Sequence, residues 1–152
     1  MRIILAALLC GLLGCQTASE PSEADTDAMI NTLRTHLEAL SAHDYPGLIS
    51  TIPDSGAFHL ILPTGAKLST VAQFQNMHEP WLAEDDWTME SEILSVIPGV
   101  DMGTAIVVST LREPEREGKP YFHRMYVTYT LRKMDGAWKV VLDQATTIEK
   151  SS

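Results

Sequence analysis

From Trp87 to Ile148 the chain is written almost wholly in β-pattern, as four long runs cut at regular places by turn chemistry. Trp87 to Ile97 is the first run, ended by Pro98-Gly99, and Gly103 to Leu111 is the second, followed by the charged loop Glu113–Pro120. Tyr121 to Lys133 is the third, Met134-Asp135-Gly136 is a hairpin turn, and Ala137 to Ile148 is the fourth. Each is longer than the usual strand of about five or six residues, so the runs predict a strongly curved antiparallel meander.

Helical spacing precedes them. Met29, Ile30, Leu33, Leu37 and Leu40 recur at intervals of three and four, which predicts an amphipathic helix capped by Thr26 or Asp27 and ending near His43-Asp44. Tyr45-Pro46-Gly47-Leu48-Ile49 predicts a short second helix with proline in its first turn. Ala57 to Leu62 is a short β-run, turned back by Pro63-Thr64-Gly65-Ala66 to Lys67-Leu68. Ser69 or Thr70 caps a third helix with Val71, Phe74, Met77 and Leu82 on one side, ending around Pro80-Trp81. Helices followed by consecutive hairpins predict an α+β domain. A curved sheet wrapped around three N-terminal helices makes a cone whose mouth is a natural pocket.

The first residues belong to another problem. Arg2 and the apolar stretch Ile3–Leu13 have the layout of a secretory signal, and the stretch is too short to span a bilayer, which needs about 20 residues. Leu12-Leu13-Gly14-Cys15 resembles a bacterial lipobox, with a slim residue before the cut between Gly14 and Cys15 and a thiol to take the diacylglycerol. Leu9 before Cys10 is too bulky for that role. The expected organisation is a signal peptide over residues 1–14, a lipidated Cys15 with an acidic tether over 15–26, and a folded domain over 27–149. The expected place is the bacterial cell envelope, anchored by the N-terminal lipid. Gln16 after the cysteine favours, by resemblance, the outer membrane of a Gram-negative cell.

The net charge of −9 argues against nucleic acid and against adhesion to anionic lipid. With Cys15 acylated the mature chain has no second cysteine, so the domain is held by its core without disulfides.

The C-terminal pattern Tyr126-x-Thr128-Tyr129-x-Leu131-Arg132-Lys133-x-Asp135-Gly136-x-Trp138-Lys139-Val140-Val141-x-Asp143-Gln144-x-Thr146 resembles the SnoaL-like branch of the nuclear transport factor two-like superfamily. Phe74 to Glu90, a helix running into a Trp-centred strand, fits it too. The likeness covers roughly residues 27–149. It implies a cone of curved sheet and three helices, often dimerising through the outer sheet face. It does not imply one activity, because the superfamily holds isomerases, cyclases, dehydratases and epoxide hydrolases beside non-catalytic transport and assembly modules. Ketosteroid isomerase, a member, uses an Asp base and a protonated Asp in an apolar pocket. Where that base would be expected, this chain has His59.

His59 is therefore the candidate proton carrier, although alternation puts it with Ile61 and opposite Phe58, Leu60 and Leu62. The other pocket candidates are Trp81, Trp87, Glu90, Tyr126, Asp143 and Gln144. On the last strand Trp138, Val140, Leu142 and Gln144 share a face, which puts Gln144 inside and Asp143 outside unless a β-bulge intervenes. Glu90 would have a raised pKa if turned inward. His36, His43 and His78 have no metal-ligand spacing, and no phosphate loop or nucleophile motif is present, so neither a metal nor a cofactor is expected. Three functions remain open: binding of a small apolar molecule or a protein partner, acid/base chemistry with His59, and structural dimerisation.

Overall fold

The computed structural model describes residues 20–152. Its elements are α1 (Glu23–Ser41), α2 (Tyr45–Ser50), β1 (Ala57–Ile61), β2 (Lys67–Thr70), α3 (Val71–Leu82), β3 (Thr88–Ile97), β4 (Met102–Arg116), β5 (Lys119–Met134) and β6 (Ala137–Lys150). The expected signal peptide, its expected cleavage between Gly14 and Cys15, and the expected lipidation of Cys15 all fall outside the described residues.

α1 starts one turn before either expected cap. Ser22 is the N-cap, its hydroxyl accepting from the Asp25 N–H, while Glu23 and Asp25 place carboxylates in the first turn where the helix dipole favours them. Residues 23–26, expected as tether, are therefore helical. Among the described residues no helix is long and apolar enough to cross a membrane.

The six strands run in the order β2-β1-β6-β5-β4-β3. β3 to β6 form the expected meander, and the β1–β2 hairpin joins it by laying β1 parallel to β6, with His59 beside Leu142 and Leu60 beside Asp143. The segment expected as a charged loop is shorter than its composition suggests: β4 continues to Arg116 and β5 begins at Lys119. A two-residue turn suffices because Glu117 and Gly118 take φ of 54° and 82°. Arg116 lies 3.6 Å over the Tyr121 ring and pairs with Glu113, contacts that a frayed loop would lack.

Extra residues curve the sheet. Leu94 in β3 and both Val141 and Ile148 in β6 are skipped by the pairing register of the neighbouring strand. The concave face closes over α1 and α3, burying Met29, Leu33, Phe58, Phe74, Leu131 and Val140 completely. α1 comes so close to β4 that a Cβ on Gly103 would meet the Met29 thioether and stand 3.1 Å from the Ile97 carbonyl oxygen. Gly103→Val should therefore lower stability by about 1–3 kcal/mol, read as a lower urea midpoint at unchanged slope.

Candidate functional site

The last strand changes face at a bulge. Thr130 pairs with Leu142 but Leu131 pairs with Val140, so Val141 has no partner on β5. The slip has a local cause: the Val140 N–H donates to the Thr51 carbonyl at 2.9 Å, and Lys139 Nζ donates to the Ser50 carbonyl at 2.6 Å. This pins β6 to the end of α2. Trp138 and Val140 point inward before the bulge, and Asp143 points inward after it. Strict alternation, which puts Gln144 inside and Asp143 outside, is thereby reversed: Gln144 is exposed and Asp143 is 8% exposed.

Tyr129 stands directly across from Asp143 on β5, buried on the same concave face. Burial raises the Asp143 carboxyl from 3.8 to about 7. Burial, with Asp143 nearby, also pushes the Tyr129 phenol well above its ordinary 10, so it remains a proton donor at any physiological pH.

α1 and α3 complete the cluster with two buried histidines. His36 Nδ1 is 2.7 Å from the Thr51 hydroxyl, which itself donates to the Leu48 carbonyl at 2.6 Å. The hydroxyl proton is thus committed, so His36 must donate through Nδ1 and carry its lone pair on Nε2. That Nε2 is enclosed without a partner, with the Tyr129 ring edge-on at 5.4 Å between centroids. Burial, then the neighbouring His78, holds His36 down at about 3. His78 donates from Nδ1 to the Phe74 carbonyl at 2.9 Å, stacks on Phe74 at 3.8 Å, and is held at about 4 by burial. Both were legible as core positions, since 33-36-40 and 74-78-82 continue the apolar spacing of their helices.

The remaining sequence candidates do not converge. Trp81 and Trp87 stack at 4.2 Å, with Trp87 Nε1 donating to the Trp81 carbonyl, and His43 stacks on the far side of Trp87 at 3.9 Å. These rings form a packed rim. His59, Glu90, Tyr126 and Gln144 lie on the outer face of the sheet, away from Asp143, and His59 Nδ1 is enclosed there without a partner. Two open grooves lie along the sheet. One, of about 500 Å³, runs between Glu90, Glu92, Arg112, Phe122 and Arg124, and the other, of about 360 Å³, lies against Asp85, Trp87, Pro114 and Tyr121. Among the described residues no three His, Cys, Asp or Glu side chains come together to hold a metal ion.

The chain matches no family model, and no curated protein is similar to it. Solved structures are similar in fold. A ketosteroid isomerase-like protein from Erwinia carotovora atroseptica superposes with a TM-score of 0.69 at 17% identity, over 84% of this chain and 99% of that one. A proposed dehydratase from the NTF2-like (nuclear transport factor two-like) family, from Streptomyces avermitilis, gives 0.69 at 14%, over 83% and 97%. The association domain of CaMKII from C. elegans gives 0.61 at 16%, over 82% and 97%. The fold is the NTF2-like cone. Neighbours with so different an activity leave function to the residues of this chain.

Proposed function

We propose that this chain is an envelope lipoprotein whose NTF2-like domain is a binding module that takes a protein partner, a second copy first of all, on the outer face of its sheet. The observation carrying this is the contrast between the two faces. The concave face is lined by buried side chains of the core, whereas the outer face leaves Leu94, Ile106, Ile148 and Tyr126 uncovered, Tyr126 at 49%. Such a patch on a monomer marks an interaction surface. Glu90 and Glu92 on β3 and Arg112 and Arg124 on β4 and β5 rim it, so a two-fold pairing can set the acid row of one copy against the guanidinium row of the other. The likeness to an association domain agrees with this reading.

Native mass spectrometry of the purified chain tests it: dimers are expected, and Tyr126→Asp should weaken them by about 2 kcal/mol, roughly thirtyfold in Kd. A monomer at all concentrations, or a small molecule co-purifying inside the cone, would replace this reading. The anchor rests on the lipobox, and Cys15→Ser should release the protein from the membrane fraction.

One observation supports a second reading, acid/base chemistry. Asp143, titrating at about 7 opposite a phenol that stays protonated, is the kind of carboxyl that exchanges protons at neutral pH. On this reading the proton carrier is Asp143, inside the cone, and not His59, whose place beside Leu142 is on the outer face.

A further inference from the structure

The end of the sheet that meets the start of α1 carries the two most exposed large apolar side chains described, with a third between them. Ile97 is 68% exposed, Met102 53% and Val100 39%, all in or beside the β3–β4 turn over residues 98–101. Three contacts fix this turn beside the helix start. Lys133 pairs with Asp25 in the first turn of α1, its Nζ 2.5 Å from the carboxylate. The Lys133 N–H donates to the Asp101 carbonyl at 2.8 Å. Met29, one turn further along α1, packs on Gly103.

We propose that this apolar tip dips into the surface of the bilayer to which the chain is tethered, so that two contacts, a lipid and a hairpin, orient the domain. The inference rests on the lipoprotein reading of Cys15. Six residues lie between Cys15 and the Ser22 cap, seven Cα steps with a reach of at most about 25 Å, so the α1 start and the turn beside it are held near the lipid surface. A tethered surface meets the tip at high effective concentration, where a few side chains suffice. Asp101, exposed between Val100 and Met102, keeps the insertion shallow, at headgroup depth. The opposite end of the sheet, at the charged β4–β5 turn, faces away from the bilayer.

The test uses the full acylated chain in phosphatidylcholine vesicles, with an environment-sensitive fluorophore at Val100→Cys and, separately, at Glu115→Cys. Emission from position 100 should shift to shorter wavelength and be quenched by lipids brominated on their acyl chains. Emission from position 115 should do neither. Ile97→Asp with Met102→Asp should abolish the quenching while the protein stays in the membrane fraction. A shift without quenching would mean that a protein, not lipid, covers the tip, and would overturn the proposal. Equal, unshifted emission from both positions in a chain that Cys15→Ser still releases would overturn the tip and leave the anchor standing. A Cys15→Ser chain that fractionates with membranes like the parent would remove the anchor and the proposal together.

Discussion

Asp143→Asn should make the protein more stable at pH 8 and less stable, by about 1–2 kcal/mol, below pH 4. The carboxyl titrates at about 7 in the folded chain against 3.8 when free. Below 3.8 both states hold the proton and nothing is lost. As pH rises the unfolded chain releases it first, so stability falls until the folded carboxyl has ionised as well. At about 1.4 kcal/mol per pH unit, the full penalty above pH 7 is about 4 kcal/mol. An amide buried in its place costs about 1–2 kcal/mol, leaving a net gain of about 2–3 kcal/mol at pH 8. Urea titrations of parent and variant at the two pH values measure it. A carboxyl carbon resonance of Asp143 that titrates near 4 would also remove the basis for acid/base chemistry at this position. A residue that costs the fold this much and is still buried is what a functional carboxyl looks like.

Acid should unfold the protein through His36 and His78. Both are held below their ordinary 6.5, His36 at about 3 and His78 at about 4, because neither ring can be charged where it is buried. Here the sign is opposite to that of Asp143: the unfolded chain takes up protons below pH 6.5 that the folded chain refuses. Stability present above 6.5 is lost as pH falls towards 4. The two rings account for about 5 and about 3 kcal/mol, comparable with the whole stability of a small domain. Between pH 4 and 6.5 the two histidines outweigh Asp143 by one proton, so stability should climb by about 1.4 kcal/mol per pH unit, peak near pH 6.5, and decline slightly to pH 7. His78→Gln should flatten the acid limb, and a parent chain equally stable at pH 4.5 and 6.5 would contradict the burial of both rings.

The element order and the cone were legible in the sequence because they depend on short-range rules. Periods of 3.6 and 2, Ser/Thr caps, and Asp135-Gly136 at a turn needing positive φ all act within a few residues. The face of Asp143 was not legible. Alternation along β6 is correct up to Val140, and then a hydrogen bond from Val140 to Thr51, far away in sequence, slips the register and turns every later side chain over. His59, a polar residue in an apolar run, drew attention in the sequence, but its parallel pairing beside Leu142 sets it on the outer face. Nor could sequence show that the β3–β4 turn lies against the start of α1, since that follows from the docking of Met29 on Gly103.

By itself, then, the sequence determined the α+β cone, its elements and the expectation of a lipid anchor. Tertiary structure decided which residues meet: Asp143 with Tyr129 inside, Tyr126 with the charged rim outside, and the apolar tip beside the helix that leads back to Cys15. The physical reason is one of range. Propensity and periodicity are properties of neighbours along the chain, whereas a bulge, a buried charge and a shared surface exist only once distant segments have docked.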